Sequence, residues 1–239
     1  MREKLLGIDI DTITFDEAIE EAYELIKQDK VSQVVTINPE IIEEAGSNKL
    51  LREAIKSAEL VIPDGVGIQI ALKINGVNTE RIPGIDFAKK LLEVSAQMKF
   101  KVAIVGAKEE VINAAVDNLK QEIRNLNIAY WHNGYFSNDN EIYDNIKSWN
   151  PDIILVAMGS PKQELFIYNA KKILNKGLMI GIGGSLDVWS GNIKRAPKIF
   201  QITGTEWLYR TITQPERFKR IFPTLPLFLI KAITYKFLK

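Results

Sequence analysis

Apolar positions over the first 190 residues follow two alternating rhythms. Short runs rich in Val and Ile recur: VSQVVTI ending at Ile37, ELVIP ending at Pro63, KVAIVG ending at Gly106, DIILVAMG ending at Gly159 and LMIGIGG ending at Gly184. Such runs predict strands. Between them the period lengthens. FDEAIEEAYELIKQ, from Phe15, sets Ala18, Ala22, Leu25 and Ile26 on one helical face, and IDFAKKLLEVSAQM (from Ile85) and EEVINAAVDNLKQEI (from Glu109) repeat the pattern. Alternation of this kind predicts an α/β fold with a parallel sheet covered by helices. Such sheets bind ligands beyond the carboxyl ends of their strands, so residues just after strands are the candidates for function.

Past Arg195 the rhythm breaks. The segment RAPKIFQITGTEWLYRTITQPERFKRIFPTLPLFLIKAITYKFLK is basic, aromatic and interrupted by Pro215, Pro223 and Pro226. It predicts helix, turn, helix, then a short terminal helix starting near Pro226, a residue suited to a first turn. The chain therefore divides into a core, 1–194, and a C-terminal helical appendage, 195–239. On a wheel of the terminal helix, Lys231, Lys236 and Lys239 fall within about 140° of arc. Leu227, Leu229, Ile230, Ile233, Phe237 and Leu238 fill the other side. That helix is too short to span a bilayer. It suits one lying in the membrane interface, or one docking on the core or on a second subunit.

Composition sharpens this picture. With 239 residues and 46% hydrophobic content, the chain can build one good core with an appendage. Cysteine is absent, which excludes disulfides, thiolate zinc sites and cysteine nucleophiles. The N-terminus lacks a signal-like apolar run, and no stretch approaches ~18 apolar residues. A cytosolic protein is expected. The net charge of +1 hides a split: residues 195–239 carry nine Lys/Arg against two Asp/Glu, and the preceding residues carry 22 against 28. A basic end on an acidic body implies an anionic partner, whether nucleic acid, anionic lipid or a phosphate-bearing substrate. The end is apolar between its charges and shows no RNA- or DNA-binding motif, so no nucleic-acid partner is expected.

Several residues after strands carry candidate chemistry. Thr36 and Asn38 stand in VVTINPE, where Asn38 also reads as an N-cap with Pro39 as first helical residue. Asp64, in LVIPDGVGI, reads as a turn residue or as a strand-end carboxylate able to act as a general base. Arg81, in ERIPGID, reads as a solvated surface residue or as a fork for phosphate oxygens. Ser160 and Gln163, in GSPKQE, match a capping box around Pro161, and a helix N-terminus there would also present N–H groups to an anion. GIGGSLDVWSG, from Gly181 to Gly191, is a glycine-rich turn that lets backbone approach a ligand, and Asp187 within it could accept hydrogen bonds from a nucleoside.

Other chemistries fall away. Neither GxGxxG nor GxxxxGK[ST] occurs, which disfavours a classical dinucleotide fold and a P-loop. The single histidine, His132, cannot build a His-rich metal site and should pack or cap. Asp9 and Asp11 form a D-x-D, a pattern that some sugar transferases use to hold a metal diphosphate, but they lie beside a probable edge strand. No metal site is expected.

Taken together, TINPE, IPDGVGI, RIPGID, MGSPKQE and GIGGSLDVWSGNIKRAP, followed by EWLYR and PERFKR, resemble the WecG/TagA/CpsF glycosyltransferase family. They stand in family order from Thr36 to Arg220, and the likeness is nearest to the teichoic-acid linkage-unit branch. The resemblance implies a Rossmann-like core and an inverting, metal-independent transfer without a cofactor. The implied donor is a UDP-sugar, UDP-N-acetylmannosamine. The implied acceptor is undecaprenyl-diphosphate-linked N-acetylglucosamine at the inner face of the cytoplasmic membrane. A related uronic-acid donor is the alternative, and a non-catalytic nucleotide- or membrane-binding module is the alternative outside enzymes. By position, Asp64 would be the base, and Thr36, Asn38, Arg81 and Gln163 would line the pocket. Asp187 would bind uridine, and Arg210, Arg217 and Arg220 would reach the diphosphate once the appendage docks. The family usually has apolar residues where Thr203, Thr205 and Thr211 stand, and Glu where Gln214 stands. Polar residues there would weaken an apolar contact between appendage and core or between subunits of a homo-oligomer.

Overall fold

The structure, a computed structural model, describes residues 1–213 and 215–237, with side chains throughout except at 210 and 215–223. The chain opens with an antiparallel hairpin, β1 (Arg2–Leu5) and β2 (Ile8–Asp11). Its loop holds Leu6 at φ +51° and Gly7 at φ +82°, the left-handed pair that suits a two-residue hairpin turn. Next comes α1 (Phe15–Ile26), opened by a capping box between Thr14 and Glu17. Strands and helices then alternate: β3 (Val31–Ile37), α2 (Pro39–Ser47), α3 (Lys49–Lys56), β4 (Leu60–Pro63), α4 (Val66–Ile74) and α5 (Gly84–Met98). They continue through β5 (Lys101–Gly106), α6 (Glu109–Glu122), β6 (Asn127–His132), α7 (Asp139–Trp149), β7 (Ile153–Ala157), α8 (Lys162–Ala170), β8 (Gly177–Gly181) and α9 (Ser185–Trp189). α10 (Lys198–Ile202), α11 (Glu206–Thr213) and α12 (Pro215–Phe237) follow.

Six strands form one sheet in the order β4-β3-β8-β7-β5-β6, with every neighbouring pair parallel. All five expected strands are in it. Successive side chains leave a strand on opposite faces, and the core divides accordingly. Val34, Ile62, Ile104, Leu155 and Ile180 pack with α1, α5 and α6 on one face. On the other, Val35, Ile37 and Val61 meet α2, α3 and α4, while Val105, Ile154 and Val156 meet α7 and α8. α1 buries Ala18, Ala22, Leu25 and Ile26, the face its periodicity predicts. Full burial of an aliphatic side chain stabilises by roughly 1.5–3 kcal/mol, which is why both faces of such a sheet are sealed.

The hairpin accounts for the D-x-D. Asp11 accepts from Arg2 Nε and from the Val61 N–H, each at 2.8 Å, tying β2 to β4. Asp9 lies 3.8 Å from Lys4. Among the described residues, no group of three or more His, Cys, Asp or Glu could hold a metal ion. His132 has Nδ1 2.8 Å from the Asn133 carbonyl and its ring edge-on to Phe136.

The appendage departs from expectation. The terminal helix begins at Pro215 and runs through Pro223 and Pro226, so Pro215 takes the first-turn place assigned to Pro226. A proline inside a helix removes one N–H and crowds the carbonyl four residues back. Burial offsets that cost: Phe228 and Ala232 are fully buried among Ile41, Ala45, Ile68 and Ala71. α12 thereby packs on α2 and α4. A Cβ at Gly67 would lie 2.6 Å from Pro39 Cγ and 2.8 Å from Leu225 Cδ1, so glycine is what lets these three helices close. Leu227, Ile230, Ile233 and Phe237 remain exposed on the opposite side. The wheel's apolar side is thus largely the outward stripe, and the inward one, Phe228 and Ala232, falls within the arc of the lysines. Among the described residues, no helix is long and apolar enough to cross a membrane.

Candidate active site

The carboxyl ends of β3, β4, β7 and β8 open into a cleft of about 480 Å³, walled on its far side by residues of α11 and α12 that include Glu206, Trp207 and Leu225. Six of the residues singled out from sequence line it: Thr36, Asn38, Asp64, Arg81, Ser160 and Gln163. They come from four chain segments that only the parallel sheet brings together.

Asp64 follows the last residue of β4. Its N–H donates to the Ile37 carbonyl at 2.8 Å, extending the β3–β4 ladder by one step. Gly65, at φ +89°, then turns the chain into α4, so the Pro-Asp-Gly turn and the cleft-lining carboxylate are one feature. Asp64 Oδ2 accepts from the N–H of Gly84, the first residue of α5, at 3.2 Å. A helix N-terminus favours negative charge, and this contact orients the carboxylate at the mouth of α5. The Ile82 N–H donates to the Pro63 carbonyl at 2.9 Å, which brings the RIPG loop to the end of β4.

Thr36 packs where Gly84 leaves room: a Cβ on Gly84 would sit 2.9 Å from Thr36 Cγ2. Thr36 Oγ1 reaches the Gly181 carbonyl at 3.4 Å. Asn38 is the N-cap of α2, its Oδ1 accepting from the Ile41 N–H at 3.0 Å, with Pro39 in the first turn. Capping and cleft lining coexist in this residue. Arg81 Nη2 donates to the Gln201 carbonyl at 2.8 Å, joining the RIPG loop to α10.

The capping box expected of Ser160 and Gln163 does not form. The Ser160–Pro161 bond is cis, Pro161 is the N-cap of α8, and no side chain caps that helix. Gln163 instead turns to the glycine-rich segment after β8. Its Oε1 accepts from the Gly183 N–H at 3.0 Å, and its Nε2 donates to Glu164 Oε1 at 2.8 Å. The Gly-rich turn carries the interaction that capping would otherwise have claimed.

Asp187 stands apart. It lies half-buried on α9, outside the cleft lining, and its backbone carbonyl accepts from Ile193 N–H and Ser190 Oγ. The side chains of Arg210, Arg217 and Arg220 lie outside the described residues, as does Gln214. The hydroxyls of Thr203, Thr205 and Thr211 are satisfied locally: Thr211 Oγ1 donates to the Trp207 carbonyl and Thr203 Oγ1 to that of Ile199, while the Thr203 and Thr205 hydroxyls lie 2.7 Å apart.

Sequence reasoning missed two features. Glu206, only 8% exposed, brings a further carboxylate into the cleft from the first turn of α11. Arg195 forks onto Asp86, with both N–H···O distances 2.6 Å, and its Nε lies 3.9 Å from Glu206. Asp86 holds the Arg195 guanidinium above its ordinary range, and Glu206 and Asp64 add to that field. This cation thus joins appendage, α5 and cleft. Both residues stood inside recognised motifs, KRAP and EWLYR, but their partners are distant in sequence. Among the described lining residues, Glu40, Glu44, Asp64 and Glu206 are acidic and Arg81 is basic.

The model of the family described as "Glycosyl transferase WecG/TagA/CpsF family" matches residues 3–239. An N-acetylglucosaminyldiphosphoundecaprenol N-acetyl-beta-D-mannosaminyltransferase of Bacillus spizizenii is 34% identical over 230 residues, covering 96% of this chain and 88% of that protein. Proteins of the same name from Bacillus subtilis and Staphylococcus aureus are 37% and 33% identical, covering 80% and 97% of this chain and 76% and 92% of theirs. The chain belongs to the WecG/TagA/CpsF glycosyltransferase family.

Proposed function

We propose that this glycosyltransferase moves N-acetylmannosamine from UDP to undecaprenyl-diphosphate-linked N-acetylglucosamine, with Asp64 as the general base. The observation that carries the reading is Asp64 itself: a strand-end carboxylate, oriented by the Gly84 N–H and lining a cleft with Thr36, Asn38, Arg81 and Gln163. The name shared by the relatives supplies the substrate class.

In this reading the acceptor hydroxyl attacks the anomeric carbon of the donor sugar as Asp64 removes its proton. A new C–O bond forms on one face while the bond to the UDP oxygen breaks on the other, so configuration inverts and UDP leaves with the electron pair. Thr36, Asn38 and Gln163 can orient substrates but cannot act as bases at neutral pH. The leaving diphosphate gathers negative charge, and a transition state of that kind is stabilised by preorganised cations and N–H groups. In this reading Arg81, which lines the cleft, and Arg210, Arg217 and Arg220 of the appendage supply the compensating charge. Asp187 remains the proposed uridine contact, reached from the glycine-rich turn.

The outer stripe of α12 suits the lipid acceptor. Leu227, Ile230, Ile233 and Phe237 are exposed beside Lys231 and Lys236. An apolar stripe edged by lysines favours a helix lying in an anionic membrane surface, which supports the reading of a protein that works at the inner face of the cytoplasmic membrane.

The test is UDP release from UDP-N-acetylmannosamine with a short-chain lipid-diphosphate-N-acetylglucosamine acceptor, in the presence of EDTA. The wild type should release UDP only with acceptor. Asp64→Asn should fall by about 10²- to 10⁴-fold in kcat, the scale of a lost general base. An Asp64→Asn enzyme with wild-type turnover would remove the base from the mechanism.

A further inference from the structure

Gln163 and Glu164 are adjacent polar residues in the first turn of α8, and both are buried, at 4% and 2% exposure. Gln163 has a place in the cleft. Glu164 lines nothing, and burying a carboxyl group is costly unless it is hydrogen-bonded. Its setting makes sense through its neighbour. The Gln163 amide is held at both ends: Oε1 takes the Gly183 N–H at 3.0 Å and Nε2 gives to Glu164 Oε1 at 2.8 Å. Turning the amide over would face Nε2 with the Gly183 N–H and Oε1 with the Glu164 carboxylate, setting donor against donor and acceptor against acceptor. Gly181 supplies the space, since a Cβ there would lie 2.5 Å from Gln163 Nε2.

We infer that Glu164 is a positioning residue for the transfer reaction: it fixes the orientation of the Gln163 amide, so that its second N–H is a preset donor at the cleft. This rests on the proposed role of the cleft and goes beyond it. Several features agree. Glu164 Oε2 is sealed from solvent, so the carboxyl group serves the protein interior and not water. Burial pushes its proton affinity up, with Glu44 of α2 adding to the rise and the Gln163 and Ser160 hydrogen bonds opposing it. A group kept in that setting is held by its contact with Gln163. A fixed donor matters because misplacement of a positioning group by about 1 Å can cost ~10²-fold in rate.

The experiment compares wild type, Glu164→Leu and Glu164→Gln in the full chain, with two readouts. The first needs no substrate: the Gln163 side-chain amide resonance in a ¹⁵N-resolved proton spectrum, assigned by its loss in Gln163→Ala. In wild type its Nε2 protons should be shifted and protected from exchange. In Glu164→Leu they should move toward the position of a free amide and exchange faster, and Glu164→Gln, which keeps an acceptor, should restore them. The second is steady-state turnover. Glu164→Leu should lower kcat by about 10- to 100-fold with KM for the UDP-sugar within about twofold, and Glu164→Gln should rescue most of the loss. A resonance unmoved in Glu164→Leu would overturn the inference, and so would equal kcat losses in the Leu and Gln variants. Lack of turnover by the wild type would count against the substrate assignment alone, because the resonance would still decide the Glu164 contact.

Discussion

α1 and α12 are both amphipathic helices, α1 lying on the sheet and α12 on helices that cover it, and they use their apolar residues differently. α1 has one apolar face, Ala18, Ala22, Leu25 and Ile26, and all of it is buried. α12 has two. Phe228 and Ala232 enter the core between α2 and α4, while Leu227, Ile230, Ile233 and Phe237 face outward, Phe237 at 82% exposure. Folding alone explains α1. On α12 the inward stripe satisfies folding and leaves the outward stripe over. A contiguous exposed apolar stripe on a helix that is already docked marks a surface for another phase or partner. The same helix contributes Thr224 and Leu225 to the cleft, so core, cleft and outer stripe meet on one element.

The comparison predicts that the two stripes separate under mutation. The largest effect belongs to the inner one. Phe228→Ala removes a fully buried ring from between helices, and truncations of this kind cost about 3–5 kcal/mol. Denaturant unfolding should show it as a lower midpoint with an unchanged slope. A loss below about 1 kcal/mol would mean that α12 is not part of the core's cooperative unit.

The outer stripe should give the reverse. Ile230→Ser combined with Ile233→Ser should leave stability within about 0.5 kcal/mol, as expected of exposed positions. Its effect should appear in sedimentation with vesicles containing anionic lipid. Full burial of one Ile in an apolar phase is worth roughly 1.5–3 kcal/mol, so the double variant should bind at least about tenfold more weakly. Unchanged vesicle binding with early unfolding would assign the outer stripe to the fold and end the contrast with α1.

The same contrast explains what could be read before the structure was seen. β3, β5, β7 and β8 lie inside the sheet, and β4, at one edge, is covered by the hairpin, so nearly every side chain of the five is buried and their Val and Ile runs stand out. β6, at the other edge, mixes buried Ile128 with exposed Trp131, which blurs the signal. The hairpin strands REKL and IDID carry as much charge as apolar surface. In the appendage, Pro223 and Pro226 are local breakers, and only the tertiary burial of Phe228 and Ala232 reveals why the helix continues. The site divides in the same way. Asp64 was legible because strand ends in such sheets are where ligands bind. The hold of Gly183 on Gln163 and of Asp86 on Arg195 spans 20 and 109 residues. No local pattern encodes partners at that distance, and for Ser160 and Gln163 the local pattern pointed to a cap that does not form.

The smallest expected effect tests the buried carboxyl that sets α8 apart from a helix whose buried face is purely apolar, such as α1. Glu164 has its proton affinity raised in the folded chain, chiefly by burial. The unfolded chain releases that proton at the ordinary Glu range, near ~4.3. Between the two, the native state binds more protons than the unfolded one, so the stability contributed by this group falls as pH rises. It is fully present below the ordinary range and is lost as pH climbs through the raised value. Glu164→Gln carries no such charge and keeps an acceptor for Gln163. It should therefore melt above the wild type at pH 8, and the gap should narrow as the solution is acidified toward pH 5. Thermal melts of both proteins across that range decide the point. A gap that widens on acidification would mean that the folded state prefers Glu164 ionised, with the Gln163 and Ser160 hydrogen bonds outweighing burial, and α8 would then hold a charge where α1 tolerates none.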